Sequence, residues 1–406
     1  MYRGPDGFDF SRFFDAVETA PPTAAVRVFA EALRERLGAR QVSFLITDFD
    51  GQSLVRLGHA STEGPPLADG VEQVSIEENP DYHRALISQE VQAFAEGNWV
   101  RMLAPVTARG DAIGLLELVL PASGAGDLVD VVAGAAHVLA YVITTERRHT
   151  DLYEWGRRSS PVSLAAEIQR RLLPSSLTCE AGPLTLSAWL EPASNVGGDS
   201  FDYALDDHSF YLSITDAMGH QVNAALLATL AVSALRNSRR ASEDLSEMAR
   251  RASAEVRGYR RGSFVTGLLG SVDLSSGRMT LVNAGHPTPI LVRNEQVQPL
   301  DLRADVPLGV IPDYEYRAQT CDLQVGDRMI FLTDGMLERN ARNVDLGELV
   351  LQTRDAHPRQ ALQTLTRAVH DACGGELRDD ATALCLDWYG VDGARRSIAG
   401  SPRVGS

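Results

Sequence analysis

The sequence predicts a two-domain α/β (α+β) protein, and three observations predict it. Residues 20–147 alternate helical periodicity with short apolar strands, in the order helix, strand, strand, helix, strand, strand, helix. Residues 177–391 are rich in strands at both ends, with helical stretches between them, a pattern that two layers of strands with helices outside would produce. The 406 residues are 44% hydrophobic and 23% charged, enough for two real cores and typical of an ordinary globular chain.

In the first domain, "TAAVRVFAEALRERLGARQVSFLITD" reads as an amphipathic helix, a glycine stop and a strand. "SLVRLGH" is a further strand, and "RALISQEVQAFAEG" a short helix followed by extended chain. "NWVRMLAPVTARGDAIGLLELVLP" reads as two strands around a Gly-Asp turn. "LVDVVAGAAHVLAYVITTERRHTDLYEWGRR" closes the unit as a long helix. Helical pattern then runs nearly without a break over 139–173, interrupted at Ser159 to Pro161 and ended by Pro174. Within it Leu164, Ile168 and Leu172 share one face, so the 148–176 segment is either an interdomain lever or the seam of a homodimer. In the second domain, helices are expected after Val222, after Ser242, near Leu346 and from Gln360 to Ala372. The tail 392–406 has the composition of a disordered segment.

Charge and cysteine content narrow the function classes. A formal net charge of -16 argues against a nucleic-acid binder, because phosphate backbones demand a surplus of Lys and Arg. Cys179, Cys321, Cys373 and Cys385 have neither zinc nor redox spacing and read as core thiols of a reducing compartment. The N-terminus lacks the basic and apolar regions of a signal peptide, and the longest apolar run is too short for a confident membrane span. A cytoplasmic protein is expected.

Carboxylates carry the chemistry. "SNVGGDSFDYAL" holds Asp199 and Asp202, "ITDAMGH" holds Asp216, "MIFLTDGMLERN" holds Asp334 and Glu338, and "RDDATALCLD" holds Asp379 and Asp380. A lone Asp at a turn is ordinarily there for its own backbone hydrogen bonds. Four such motifs at the ends of apolar strands can share one cavity, where their charges would repel unless cations neutralised them. Oxygen donors without a His/Cys cluster suit Mg²⁺ or Mn²⁺, and a pair of such ions can activate water for phosphoryl displacement. His220 follows the Asp216 turn and His286 lies in "NAGHPTP", where either could serve as a general acid.

Two resemblances give these readings a frame. Residues 22–147, through their element order and the "APVTARGDAIGLLEL" hairpin, resemble a GAF sensor domain with no evident ligand residues. Over 160–388, "EIQRRLLP", "VGGDSFD", "DAMGHQ", "FVTGLLGSVDLSSGRMTLVNAGHPTPIL", "PLG", "TDGMLE" and "DDATAL" follow one another as in the metal-dependent protein phosphatases (PPM), in the SpoIIE/RsbU-like bacterial branch. That resemblance implies an α-β-β-α sandwich of two antiparallel sheets binding two ions, Mn²⁺ or Mg²⁺. It implies that Asp216 bridges them, that the Ala217 carbonyl and Asp199 hold the first, and that Asp334 and Asp380 hold the second. Asp202 and Asp379 would support ligands or orient substrate. The implied reaction is direct attack of a metal-bound hydroxide on phosphoserine or phosphothreonine of a STAS-type anti-anti-sigma protein. The first domain would control it through a rearrangement of the helix at 163–173. A catalytically inactive PPM-like module that binds a partner is the alternative. Gln221 stands where that branch has Gly, and a positive φ there would strain the loop.

Overall fold

The structure, a computed structural model, describes residues 10–48, 51–62, 72–157, 163–191, 197–337, 344–374, 377 and 379–391. Glu338, the 159–161 interruption and the 392–406 tail lie outside them. The chain divides into two compact units, Met1–Pro161 and Val162–Arg396.

The first unit is built on one antiparallel sheet of six strands. Its elements are α1 (Ser11–Thr19), α2 (Ala25–Leu37), β1 (Gln41–Thr47), β2 (Ser53–Ser61), β3 (Gln73–Ser75), α3 (Pro80–Ser88), β4 (Gln92–Glu96), β5 (Trp99–Ala108), β6 (Asp111–Pro121), α4 (Val129–Glu146) and α5 (Leu152–Gly156). The strand order is β3-β2-β1-β6-β5-β4. The Gly-Asp turn joins β5 to β6 as the sequence suggests, in register from Trp99↔Pro121 to Ala108↔Asp111. Helix α1 begins before the stretch whose periodicity marked the domain. Its Phe10, Phe13 and Val17 are buried, and the Phe13 ring lies 5.5 Å from that of Phe29 on α2. These helices and α4 cover one face of the sheet in a shared core. The other face packs under α3 through Leu45, Leu103, Leu115 and Tyr82.

Two expectations about the apolar helix are corrected. With the 3-10 turn before it, the stretch Ala125–Glu146 is long and apolar enough to cross a membrane by length and composition. Yet Val132, Ala135, Ala136, Leu139, Ala140 and Ile143 are buried in the core of the first unit, which accounts for its apolarity without a bilayer. Nor does the helix continue toward residue 173. It ends at Glu146, where the polar run Arg147 to Asp151 has no apolar face to bury, and α5 lasts only five residues.

The second unit is a four-layer α-β-β-α sandwich. It opens with α6 (Leu164–Leu172), β7 (Thr178–Glu180), β8 (Leu184–Glu191), β9 (Asp199–Leu205) and β10 (Ser209–Ala217). Helices α7 (Gln221–Arg240) and α8 (Leu245–Tyr259) follow, then β11 (Val265–Asp273), β12 (Arg278–Ala284), β13 (Ile290–Arg293), β14 (Gln296–Pro299), β15 (Gln319–Asp322) and β16 (Arg328–Leu332). It closes with α9 (Leu346–Gln352), α10 (Pro358–Ala372) and β17 (Ala381–Trp388), so all four expected helices are present. One sheet has the order β15-β12-β11-β10-β9 and the other β14-β13-β16-β17-β8-β7, every pairing antiparallel.

Alternation along the strands sorts side chains into three cores. Phe201, Phe210, Leu268, Phe331, Leu384 and their neighbours fill the space between the sheets. The alanines of α7 (Ala228, Ala231) with Met248 and Val256 of α8 cover the five-stranded sheet. Leu362, Leu365 and Val369 of α10 cover the six-stranded one. Arg328 is buried at the base of this outer layer, paired through Nε with Asp387 at 2.7 Å and donating to the carbonyls of Thr353 and Ala356.

Helix α6 departs from its expected face. Leu164 is 66% exposed, whereas Ala165, Ala166, Gln169 and Leu172 are buried. Ser163 caps its N-terminus by accepting from Ala166 N.

Candidate active site at the paired strand ends

The carboxylates meet where one end of each sheet faces the other. Asp199 starts β9 and is directly opposite Asp216 near the end of β10. Asp380 immediately precedes β17, and Asp334 opens the 3-10 turn (Asp334–Met336) that follows β16. β16 and β17 are neighbours, so the second pair is delivered together. Two glycines permit the approach. A Cβ on Gly335 would lie 2.0 Å from the Asp380 carbonyl oxygen, and one on Gly198 would lie 2.5 Å from that of Ala217.

Asp199 and Asp380 are almost fully buried, Asp216 is half-buried and Asp334 is exposed. The hydroxyls of Thr333 and Thr382 donate to Asp199 Oδ2 at 2.7 and 2.6 Å, clasping β9 to the other sheet. Asp199 N and Gln169 Nε2 donate to Asp380 Oδ2 at 3.4 and 2.7 Å, and the same Gln169 amide reaches the Asp199 carbonyl at 2.8 Å. Burial, then the charges of Asp216 and Asp380, holds the Asp199 carboxyl well above the usual range despite the two threonine hydroxyls. Asp216 is pushed up to about 7 by burial, then by Asp334, Asp379 and Asp380. Asp199 thus feels the charge of two neighbouring aspartates and Asp216 that of three.

The donor set fits hard divalent cations. It consists of oxygens alone, its charges are mutually repulsive, and Gln169 Oε1 is buried beside Asp380 with no hydrogen-bond partner. Among the described residues no group of three or more His, Cys, Asp or Glu side chains converges as an ion-holding cluster in this conformation. Oδ2 of Asp199 accepts from Thr333 and Thr382, and Oδ2 of Asp380 accepts from Gln169, so an ion bound through those atoms would compete with these donors.

Other expected residues fall outside the cluster. Asp202 accepts from Arg236 at 2.8 Å and from Arg239 at 2.9 Å, and Arg236 also donates to the Leu172 carbonyl at 2.7 Å. Asp202 thus anchors two arginines of α7, one of which ties α7 to the end of α6. His286 is buried, and burial lowers its imidazole to about 3. Its backbone is bracketed by the Asn283 amide, with Thr266 Oγ1 3.0 Å from Nδ1, so it packs the turn as a neutral ring. Gln221 has φ 57, the strained alternative.

Sequence reasoning missed Thr333, Thr382 and Gln169. The threonines adjoin or nearly adjoin Asp334 and Asp380 in their motifs, so position was a signal. Gln169 was detectable as the single polar residue on the buried face of α6.

Residues 206–389 match the SpoIIE family (Stage II sporulation protein E), a segment holding Asp216, Asp334 and Asp380 and leaving Asp199 just outside. The chain is 24% identical over 234 residues to the phosphoserine phosphatase RsbU of Bacillus subtilis (strain 168), covering 56% of this chain and 70% of that protein. It is 24% identical over 188 residues to the phosphoserine phosphatase RsbP of the same organism, covering 44% of this chain and 46% of RsbP, less than half the relative's length. Among solved structures, the RsbU and RsbW domains of a Mycobacterium tuberculosis protein match at 24% identity and a TM-score of 0.46, over 52% of this chain and 62% of that one.

Proposed function

We propose that this chain, whose residues 206–389 match the SpoIIE family, is a metal-dependent phosphatase acting on phosphoserine or phosphothreonine in a protein. The observation that carries this reading is the buried Asp199 facing Asp216 and Asp380, three carboxylates in mutual repulsion at the junction of two sheets. In this proposal two Mn²⁺ or Mg²⁺ ions would be held, one by Asp199, Asp216 and the Ala217 carbonyl and the other by Asp216, Asp334 and Asp380. The ions, when bound, supply Lewis-acid polarisation and an activated water.

The chain's own residues supply the rest. Thr333 and Thr382 fix Asp199 and keep the two sheet ends in register. Burial of Asp199 and Asp380 excludes bulk water from the inner side of the cluster, while the exposed Asp334 leaves the outer side open to a phosphoprotein. Gln169 holds Asp380 from α6, so a displacement of α6 would withdraw that donor from the carboxylate. We assign the first unit the role of sensor acting through α6, and a phosphorylated STAS-type regulator the role of substrate, in the cytoplasm. A homodimer through 148–176 is a separate expectation that light scattering of the full chain can test.

The deciding experiment measures phosphate release from phosphorylated STAS proteins with Mn²⁺ and with chelator. Metal-dependent release that Asp216→Asn abolishes is the expected result. Equal turnover by wild type and the Asn variant would refute the site. Intact Mn²⁺ binding without any turnover would select a non-hydrolysing partner-binding module, a reading that the strained Gln221 favours.

A further inference from the structure

The rim beside Asp216 combines unpaired positive charge with exposed apolar side chains. Strand β10 pairs with β11 so that Asp216 faces Thr266 and Ala217 faces Val265. Just upstream, the end of α8 and the turn after it carry Arg257, Arg260 and Arg261, all exposed. Among the described residues none of the three forms an ion pair. The arginines earlier on the same helix differ: Arg250 pairs with Glu247, and Arg251 with Glu243 and Glu247. Arg261 is five residues from Thr266, which bounds its backbone to within about 17 Å of the Asp216 pairing.

The same rim is apolar. Met218 N donates to the Phe264 carbonyl at 3.2 Å, placing the loop after Asp216 against the turn that bears the arginines. Leu308 bridges Val265, and Gly309 N donates to Ser253 Oγ on α8 at 2.9 Å, which places the 308–311 loop on the same edge. From this edge Met218, Tyr259, Val310 and Ile311 are exposed, Val310 by 50%. The acidic residues nearby in sequence are Glu255, exposed on α8, and Asp313 and Glu315, exposed just past the 308–311 loop, with the charge of Asp313 acting on Arg250.

We propose that this rim is the docking surface for the phosphorylated protein, and that the partner presents carboxylates and an apolar side chain next to its phosphoserine or phosphothreonine. The proposal rests on the phosphatase reading. The charge argument selects the occupant. In a chain of net charge -16, three unpaired arginines within five residues, next to carboxylates that would repel an acidic partner, attract an anionic segment and hold its phosphate near the cluster.

The test uses the full chain with Mn²⁺ and two phosphothreonine peptides, one with glutamate flanks and one with those residues changed to glutamine. The wild type is expected to favour the acidic peptide by roughly tenfold in kcat/KM at low salt, a preference that shrinks as salt rises. The triple variant R257Q/R260Q/R261Q should lose that preference through KM, with an unchanged melting temperature. V310S/I311S should weaken both peptides equally. A wild type indifferent to the flanks, or a triple variant that keeps the preference, overturns the proposal. Binding of fluorescent peptides to Asp216→Asn, read by anisotropy, decides docking apart from chemistry. If p-nitrophenyl phosphate and both peptides resist hydrolysis, the phosphatase reading fails while anisotropy still judges the rim.

Discussion

Replacing Gln221 with glycine should make the second unit more stable. Gln221 adopts φ 57 at the point where the chain leaves His220 and enters α7. A left-handed backbone costs an L-residue with a Cβ about 1–2 kcal/mol, which glycine does not incur. Glycine in turn gives back about 0.5–1 kcal/mol through the greater freedom of its unfolded chain. The side chain is exposed and makes no hydrogen bond that would offset the change among the described residues. The two ranges leave a net gain between about 0 and 1.5 kcal/mol, which for a unit of this size raises Tm by up to about 6 °C. Scanning calorimetry of the metal-free chain measures it, with Gln221→Ala as the control that keeps the Cβ and therefore the strain. A glycine variant that melts below wild type, or an alanine variant that gains as much, would refute the reasoning.

Three further predictions follow from other parts of the second unit. Asp216 is raised to about 7 in the folded state and returns to about 3.9 when unfolded, so its contribution is complete below about pH 4 and is lost as pH rises through 7. The metal-free chain should therefore lose Tm between pH 5 and 7.5, Mn²⁺ should restore it, and a flat profile in chelator would contradict the assignment. Arg328→Met leaves Asp387 charged and buried and should cost about 3–5 kcal/mol in urea unfolding, whereas the double change R328M/D387L should recover much of the loss. Gly335→Ala forces a Cβ against the Asp380 carbonyl and should cost about 1–3 kcal/mol together with most of the Mn²⁺ affinity by calorimetric titration; unchanged affinity would show that this contact does not position the cluster.

Legibility in the sequence followed the range of the forces involved. Strands β5 and β6 and helices α2 and α7 were readable because their periodicity and turns are local. The chain's passage from α4 to α6 was not, since Arg147 to Asp151 contains no proline or glycine to announce a stop, and only its lack of an apolar face ends α4. Leu164 satisfied the spacing rule yet points to solvent, because the neighbouring surfaces favour the flatter Ala165 and Ala166. The aspartate motifs could be found in sequence, but the contacts that fix them span up to 211 residues, as between Gln169 and Asp380. No local pattern encodes such a pairing. The Arg236–Asp202 tie, 34 residues apart in sequence, was hidden for the same reason.

The Gln169 amide has a thermodynamic corollary. It donates to the Asp380 carboxylate, which the proposed second ion also needs. Two events that share a group share one coupling constant, and that constant acts with equal size in both directions. Whatever factor the docking of α6 applies to ion affinity, the ion must apply to the docking of α6. The cation would then be an effector of the helix as well as a participant in hydrolysis. A signal that moves α6 would have to work against, or with, the ambient concentration of the ion.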